Sequence, residues 1–235
     1  MIAIVPIKND SERLPGKNFL DFCGQPLYQV VLDTLQNIQQ IDSIIINTDS
    51  ERIAGDCADR YSKAMILVRP LELLGNHITM NSIIDYDLSQ VSGEHFLQTH
   101  VTNPLLSAAT IVNAIETYFN NLVSFDSLFS VESIKKRAYD HNGNPINHSN
   151  LKLEQTQHLP GVNIENSNLF LFSRTSFLAA GKSRIGLRPQ LFSMSPIEGI
   201  DIDYKEDFLL AELIAKNKST FNFPDYLLTV QGLNQ

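Results

Sequence analysis

Residues 2–18 read IAIVPIKNDSERLPGKN, and this stretch decides the fold class. Its first six residues form an apolar run with the length and composition of a buried strand. The residues that follow are polar and contain the Pro15-Gly16 break, so they predict a loop. A helix is predicted from Leu27, because apolar residues then recur every three or four positions up to Ile38. The opening of the chain is therefore a unit of strand, loop and helix.

The same unit repeats along the rest of the chain. Further strands are predicted at 43–46, 64–68, 95–99, 127–131 and 168–173, and further helices at 51–63, 82–91, 108–119 and, after a loop from Asp201, up to Ala215. Most of these strands are apolar throughout rather than alternating, which is typical of a parallel sheet covered on both faces. With 235 residues, the chain is predicted to be a single α/β domain (1–235) with, at most, a small appendage.

Residues 132–162 interrupt this rhythm. They are polar, contain three of the six histidines and have no clear hydrophobic period. A segment of this length is unusual for a plain loop in a compact domain. We expect either a lid or a β-rich excursion that contacts a partner chain.

The composition limits the function classes. The formal charge is −8, from 18 Lys and Arg against 26 Asp and Glu, whereas proteins that coat nucleic acid usually have a basic face. No run approaches 18 apolar residues, and the two cysteines form no Cys-x-x-Cys pair, so neither a membrane span nor a disulfide framework is predicted. The short apolar run at the N-terminus lacks the features of a signal peptide. We expect a soluble cytoplasmic protein with no nucleic-acid or membrane partner.

Polar and cationic residues follow four of the predicted strands, at the sheet edge where open α/β folds bind ligands. They are Lys8, Ser11, Arg13, Lys17 and Asn18 after the first strand, Asn47, Thr48 and Asp49 after the second, Arg69 after the third, and His100, Thr102 and Asn103 after the fourth. Three cations within residues 8–17, in a loop that contains glycine, favour an anion site. The loop matches neither GxxxxGK[ST] nor GxGxxG, so a solvated surface loop remains the alternative.

Asp201, Asp203 and Asp207 form an acidic cluster before the last predicted helix. Carboxylates are hard ligands of the kind that Mg²⁺ prefers, and this ion usually keeps waters and bridges to substrate phosphates. The alternative is a helix start in which Asp203 is the N-cap and Glu206 completes a capping box. The two interpretations are compatible, since Asp203 can cap the helix while Asp201 binds the cation.

Taken together, these residues resemble the sugar-acid cytidylyltransferases, in particular the acylneuraminate branch. The opening Pro6–Asn18 is similar to that family's PAR-x-x-S-x-x-[IL]-P-G-K-N pattern. Further matches follow in family order at Gly24-Gln25-Pro26-Leu27, Asn47-Thr48-Asp49, Arg69-Pro70-Leu71-Glu72-Leu73, Thr102-Asn103-Pro104-Leu105 and Asp201-Ile202-Asp203 with Asp207. The resemblance covers nearly the whole chain. It implies a three-layer Rossmann-like fold of the nucleotidyltransferase type with a mostly parallel sheet, and a dimerisation insert at about 132–168 in a homodimer.

The resemblance also implies a reaction: Mg²⁺-dependent transfer of CMP from CTP to the anomeric hydroxyl of a nonulosonic, sialic-type acid, with release of pyrophosphate. It implies catalytic roles for Lys8, Lys17 and Asp203 and a metal site at Asp201 and Asp203. The implied nucleotide-binding residues are Pro6, Ile7, Lys8, Ser11, Arg13, Asn18, Arg69 and Asn81, and the implied sugar-binding residues are His100, Thr102 and Asn103. Such a reaction needs cations where charge develops, and it needs no covalent catalysis.

Three positions depart from the pattern. Lys8 replaces the family Arg, which keeps the charge and loses the bidentate fork. His100 replaces the family Gln at a position linked to sugar binding. Arg13 resembles the 3-deoxy-manno-octulosonate cytidylyltransferases, so an octulosonate enzyme is one alternative function. A glycosyltransferase with an Asp-x-Asp metal site and a non-catalytic sugar-nucleotide binder are the others.

Overall fold

The computed structural model describes residues 1–152 and 154–217. Within them the strands are β1 (Ile2–Ile7), β2 (Asp21–Phe22), β3 (Gln25–Pro26), β4 (Ser43–Thr48), β5 (Ala64–Val68), β6 (His95–Gln98), β7 (Ser127–Ile134), β8 (Val162–Ser173) and β9 (Pro189–Ser193). The α-helices are α1 (Leu27–Gln36), α2 (Glu51–Arg60), α3 (Met80–Ser89), α4 (Ala108–Asn120), α5 (Arg174–Ala179) and α6 (Lys205–Lys216). None of these helices is long and apolar enough to span a bilayer. The predicted extent of the domain beyond residue 217 lies outside the described residues.

Seven strands form one sheet in the order β5-β4-β1-β6-β8-β7-β9. The strands β5, β4, β1 and β6 pair in parallel. β8 pairs antiparallel with both β6 and β7, and β7 pairs in parallel with β9. Only β8 therefore runs against the other six strands, and the predicted α/β fold with a mostly parallel sheet is confirmed.

Helices cover both faces of the sheet, which explains why β1 is apolar at every position. Successive side chains of a strand point to opposite faces. Ala3 and Val5 belong to the core formed with α1, α2 and α4, while Ile4 belongs to the core formed with α3 and α5. All three side chains are fully buried. A polar residue at any of these positions would be left without water on either face.

A small third core attaches α6 to the loop region after β1. The hairpin of β2 and β3 leads into α1, and Pro26 is the N-cap of that helix. Phe22 and Leu27 from this region pack against Leu105, Ile202 and Ala211. The segment 201–203 is therefore held next to the loop that follows β1, although the two are far apart in sequence.

The start of α6 differs from the capping box expected from the sequence. Helix α6 begins at Lys205, and its N-cap is Tyr204. The Asp207 carboxylate accepts hydrogen bonds from the N–H groups of Asp203, at 3.0 Å, and Tyr204, at 2.8 Å. The N–H of Ile202 donates to the Thr102 carbonyl at 2.8 Å, which holds this segment outside the helix. The prediction of an Asp203 cap with Glu206 was wrong by one residue, and Asp207 takes the place of Glu206.

The interrupted region 132–162 is an extension of the sheet. β7 and β8 continue past their neighbours as a paired ribbon up to the pair Ile134 and Val162, with a register shift between Phe129 and Val131. The described residues of 135–161, which we call the arm, contain two isolated bridges, Tyr139 with Pro145 and Ser149 with Lys152. Both ends of the predicted insert are thus regular strand, while the described residues of the arm between them are mostly turns and bends.

Candidate active site

One cleft of about 340 Å³ opens at the carboxyl ends of the parallel strands. Most of the residues predicted from the sequence line it: Pro6, Ile7, Lys8, Ser11, Arg13, Lys17, Asn18, Arg69, His100, Thr102, Asp201 and Asp203. The loop after β1, the ends of β5 and β6, and the segment before α6 each contribute to its wall. The residues predicted after β1, β5 and β6 therefore share this cleft, whereas Asn47, Thr48 and Asp49 of the β4 end do not line it.

Of the residues to which the resemblance gives a nucleotide, sugar or metal role, two do not line the cleft. Asn81 lines a second cleft, between α3 and the turn at Lys182, and its Oδ1 accepts from the N–H of Arg184 at 3.4 Å. Its neighbour Met80 does reach the first cleft, and one residue along a helix turns the side chain by about 100°. Asn103 is fully buried, and its Nδ2 donates to the Ile200 carbonyl at 3.3 Å. The structure thus places both residues outside the lining of this cleft, and their nucleotide and sugar roles stay predictions.

Lys17 lies at the centre of the cleft. It follows Gly16, whose φ of 65° is in the left-handed region and turns the chain into a short 3₁₀ helix. The Lys17 ammonium donates to the Ile202 carbonyl at 2.5 Å and lies 3.4 Å from Asp203 Oδ1. Arg13 Nη1 lies 2.6 Å from the other oxygen of Asp203. The Asp203 carboxylate is therefore placed between two cations of the loop after β1.

Asn18 and Lys8 form the wall nearest to β1. The Asn18 Nδ2 donates to the Lys8 carbonyl at 2.7 Å, while its Oδ1 is buried and has no partner among the described residues. The exposed Lys8 ammonium donates to Asn76 Oδ1 at 3.1 Å. A buried acceptor without a partner is unfavourable unless a ligand supplies the donor.

Arg69 is held by a buried relay that the sequence did not predict. Its guanidinium donates to Asn47 Oδ1 at 2.6 Å and to the Asn47 carbonyl at 2.9 Å. Asn47 Nδ2 in turn donates to Asp87 Oδ1 at 2.6 Å. Burial raises the pKa of Asp87 to about 7, against the opposing effects of the Asn47 hydrogen bond and the Arg69 charge. Burial also lowers the pKa of Arg69.

The sequence contains a signal that would have found Asp87. The buried face of α3 consists of Ile83, Ile84, Asp87 and Leu88, at the spacing of an apolar helix stripe. A carboxylate inside such a stripe is rarely left without a specific partner.

His100 is connected to a second residue that the sequence did not predict, Arg184. Gln98 Nε2 lies 3.0 Å from His100 Nε2, and Gln98 Oε1 accepts from Arg184 Nη1. Burial lowers the pKa of His100 to about 4, and the charges of Arg184 and Lys17 act in the same direction. Arg184 lies in the turn between α5 and β9, where no sequence motif marked it.

The two carboxylates predicted to bind metal line the same cleft. Asp201 Oδ1 is buried without a partner among the described residues, and burial raises the pKa of this carboxyl, with the Asp203 charge adding to the effect. No group of three or more His, Cys, Asp or Glu side chains converges as a metal site within the described residues. Magnesium usually takes only one or two carboxylates from a protein and completes its shell with waters and phosphate oxygens. The pair of Asp201 and Asp203, with one free oxygen, fits that ion.

Comparison with known proteins begins with the fold. The chain resembles the solved structure of CMP:2-keto-3-deoxy-manno-octonic acid synthetase complexed with CTP, with a TM-score of 0.66 and 12% identity. The match covers 92% of this chain and 98% of that chain. At this identity the match shows the fold alone, an α/β fold with a mostly parallel central sheet. A family model described as Cytidylyltransferase matches residues 2–208, and the chain belongs to this family. The resemblance drawn from the sequence motifs is confirmed, and the glycosyltransferase alternative is set aside.

Curated relatives are similar at low identity. A pseudaminic acid cytidylyltransferase of Campylobacter jejuni is 25% identical over 129 residues, which is 53% of this chain and 55% of the relative. This match therefore spans about half of the relative's length. A CMP-N,N'-diacetyllegionaminic acid synthase of Legionella pneumophila is 26% identical over 230 residues, which is 90% of this chain and 94% of the relative.

Proposed function

We propose that the protein is a sugar-acid cytidylyltransferase that transfers CMP from CTP to the anomeric hydroxyl of a nine-carbon acid and releases pyrophosphate. One observation carries the proposal: the Lys17 ammonium joins the loop after β1 to the segment of Asp201 and Asp203. Cations that hold a triphosphate and carboxylates that suit Mg²⁺ then face one cleft. The motif residues of the family are thus close in space as well as ordered in sequence.

Asn18 supports CTP as the nucleotide. Its buried Oδ1 lacks a donor among the described residues, and the exocyclic amino group of cytosine is such a donor. Uracil presents a carbonyl oxygen at the same place, which would leave two acceptors facing each other. A site with a buried polar group of this kind discriminates strongly against an analogue that cannot pair with it.

The charge balance of the cleft supports a metal ion. Its lining contains four cations, Lys8, Arg13, Lys17 and Arg69, and four acidic residues, Asp10, Glu12, Asp201 and Asp203. Two anionic substrates therefore enter a cleft with no formal excess of positive charge. Asp201 and Asp203 would hold Mg²⁺, which supplies Lewis-acid polarisation and neutralises phosphate charge when it is bound.

The side chains of the cleft have separate roles in the proposed transfer. The sugar hydroxyl attacks the α-phosphorus, a new P–O bond forms and the bond to pyrophosphate breaks. Lys17 and Lys8 stabilise the negative charge that develops on the phosphoryl oxygens and on the leaving group. Asp203 accepts the hydroxyl proton. Arg69 is fixed by Asn47 and holds the nucleoside half.

A pyrophosphate-release assay tests the function. Purified protein is given CTP, Mg²⁺ and, in turn, sialic, legionaminic, pseudaminic and octulosonic acids, and we expect release with a nine-carbon acid. No release with any acid at high enzyme concentration would overturn the proposal, and CTP binding without release would favour the non-catalytic binder. Equal use of UTP would contradict the role given to Asn18.

Two variants test the roles of single residues. Lys17→Met should lower kcat by about 100-fold or more, because a buried charge at the reacting phosphates is lost. Lys216→Met is the matched control, since Lys216 makes an exposed ion pair with Glu212 at 2.8 Å and should keep full activity. Full activity of Asp203→Ala would refute the metal and proton-acceptor roles.

An octulosonate substrate is the second candidate. Arg13 supports this candidate, because the opening motif of the octulosonate enzymes has an arginine at this position. In the cleft, Arg13 contacts Asp203 at 2.6 Å. Release with the octulosonic acid alone would support this candidate over the nine-carbon acid.

We also propose that the protein is a homodimer joined through the arm, and we expect a cytoplasmic location. Exposed apolar side chains on the arm and its ribbon support the dimer: Tyr139, Ile146, Leu151 and Ile164. Side chains of this kind usually mark a contact surface when they cluster.

A further inference from the structure

The side wall of the cleft contains a relay, a chain of hydrogen bonds in which only one assignment of donors and acceptors is possible. It runs from Arg184 through Gln98 to His100, and only His100 lines the cleft. The other two residues lie behind it, in β6 and in the turn between α5 and β9. The chemistry of each group decides where the protons are.

The orientation of the Gln98 amide is determined twice. An arginine guanidinium has donors only, so the atom of Gln98 that faces Arg184 must be the acceptor Oε1. On the other side of the amide, the Thr99 carbonyl lies 3.1 Å away and can only accept, so the atom facing it must be Nε2. Both constraints give the same orientation, independently of how an amide is assigned.

The tautomer of His100 follows from this orientation. The amide nitrogen of Gln98 is a donor only, and it lies 3.0 Å from His100 Nε2. That ring nitrogen must accept, so it carries no proton, and the proton of the neutral ring is on Nδ1. An imidazolium would set an N–H against an N–H at this contact. The Nδ1 atom has no hydrogen-bond partner among the described residues, and His100 is the residue of the relay that lines the cleft.

Arg184 is held firmly enough to impose this polarity. Its guanidinium carbon lies 3.5 Å from the centre of the Phe170 ring, and Glu165 is 4.0 Å away. Burial lowers the pKa of Arg184 to about 10, so the group remains charged near neutral pH. The charged groups that face His100 are Arg184 and Lys17, and both disfavour protonation of the imidazole.

We propose that Arg184 and Gln98 are positioning residues that fix His100 as a neutral Nδ1–H donor, which selects a sugar acid carrying an acceptor oxygen, such as the carbonyl of an acylamino group. The choice of ligand rests on the proposed function, whereas the tautomer does not. A glutamine at this position could present either a donor or an acceptor to the cleft. His100 in this relay can present only a donor, so the cleft favours sugar acids with an acceptor at this place over those with a donor there.

The tautomer is tested on the protein alone by NMR. Histidine labelled with ¹⁵N should give, for His100, the two-bond correlation pattern of a neutral ring protonated on Nδ1, and His100→Gln assigns the signal. A ring protonated on Nε2, or one that titrates near 6.5 as a free histidine does, would overturn the proposal. This result is independent of any catalytic activity.

A second variant reverses the polarity. In Gln98→Glu, the carboxylate accepts from Arg184 and from the imidazole, so the ring proton should move to Nε2. With the preferred sugar acid, KM for the sugar should rise about tenfold or more, while KM for CTP stays unchanged, because one hydrogen bond to the sugar is lost. Arg188→Met is the matched control, an exposed arginine in the same turn as Arg184, and it should change neither constant.

The substrate arm compares an acylamino sugar acid with the same acid bearing a free amine. The wild-type protein should prefer the acylamino form, because an ammonium group offers a donor to a donor, and Gln98→Glu should reduce that preference by about tenfold. Equal use of both forms by the wild-type protein would overturn the specificity role. If neither form gives pyrophosphate while the NMR result holds, the proposed function fails and the relay stands.

Discussion

At the scale of single residues, Asp87 is a carboxyl group inside the apolar stripe of α3. It is fully buried in α3, Asn47 donates to one of its oxygens at 2.6 Å, and the other oxygen has no partner. Burial raises its pKa to about 7, because the cost of placing a charge in a low dielectric exceeds the gain from Asn47 and Arg69. The folded protein therefore holds a proton here that the unfolded chain releases at about pH 4.

This difference predicts how stability depends on pH. Between about pH 4 and pH 7 the folded state binds one more proton at Asp87 than the unfolded state, so the free energy of unfolding should fall by about 1.4 kcal/mol per pH unit from this group. Asp87→Asn cannot ionise and should lack this contribution. Urea unfolding at pH 5, 6, 7 and 8 measures this contribution as the difference in the free energy of unfolding between the wild type and Asp87→Asn. The control is Asp85→Asn on the same helix, a partly exposed partner of Lys182 at 2.8 Å. Parallel curves for Asp87→Asn and the wild type would contradict the prediction.

Cleft residues at strand ends could be predicted from the sequence, whereas the buried contacts that hold them in place could not. Lys17, Arg69 and His100 each follow an apolar run, and the sheet brings the ends of such runs together. Asp87 lies in the apolar stripe of α3, which predicts its burial but not its partners, whereas Arg184 lies in a turn, where only tertiary packing reveals burial. Asn81 lies outside the cleft while Met80 lines it, because the sequence does not give the rotation of α3 with the precision of one residue.

At the scale of elements, the turn between α5 and β9 depends on Gly186. This glycine has a φ of 76°, and Asp126 accepts hydrogen bonds from the N–H groups of Leu187, at 3.0 Å, and Arg188, at 2.9 Å, directly after it. A Cβ at Gly186 would collide with Asp126 Oδ1 and lie 2.7 Å from Ser127 Oγ. The turn that carries Arg184 is thus tied to the start of β7.

We expect Gly186→Ala to lower the free energy of unfolding by about 3 kcal/mol. The left-handed φ accounts for about 1–2 kcal/mol of this, and the crowding at Asp126 accounts for the rest. Gly143→Ala is the matched control, because Gly143 has a φ of 81° but open space around the added carbon. The difference between the two losses in the free energy of unfolding, measured by chemical denaturation, gives the cost of the crowding at Asp126. Equal losses of stability would show that the contact with Asp126 costs nothing.

The presence of most elements could be predicted, but their order in the sheet could not. An apolar run predicts a strand without fixing its neighbours, so neither the direction of β8 nor its place between β6 and β7 was foreseen. The edge strand β9 was missed because it starts at Pro189 and contains polar residues, which are tolerated at a sheet edge. β5 was predicted as one of the strands of a parallel sheet covered on both faces, yet it lies at the other edge of the sheet, and Val68 is 72% exposed.

At the scale of the whole molecule, the formal charge of −8 gave no information about the cleft. The average is set by the surface, while four of the 18 cations line one site. A net charge constrains solubility and long-range attraction more than it constrains a pocket.

The arm offers a test of the proposed dimer. Ile134 and Val162 already form a strand pair, so residues 135–161 can be replaced by Asn-Gly, which closes tight hairpins. Light scattering should give the wild-type protein about twice the chain mass of 26.4 kDa and the shortened protein a single-chain mass. The hydrogen bonds described for Asn147 and for the Arg137 guanidinium stay within residues 136–160, so the shortened domain should still fold.

A control keeps the arm and changes only its exposed apolar side chains. Tyr139→Ser with Ile146→Ser should weaken association without altering the circular dichroism spectrum, since both side chains are at least half exposed. A wild-type protein of single-chain mass, or a shortened protein that still pairs, would refute dimerisation through the arm.

The bond between the Lys17 ammonium and the Ile202 carbonyl joins positions 185 residues apart. During synthesis on a ribosome, Lys17 leaves the exit tunnel long before Asp201 and Asp203 do. The contact between Lys17 and Ile202 can form only after the segment 201–203 has also left the tunnel. Contacts of such separation form late, because the loop they close carries a high entropy cost. An incomplete nascent chain therefore has the loop after β1 without Asp201 and Asp203, and the cleft is complete only when translation has passed this point.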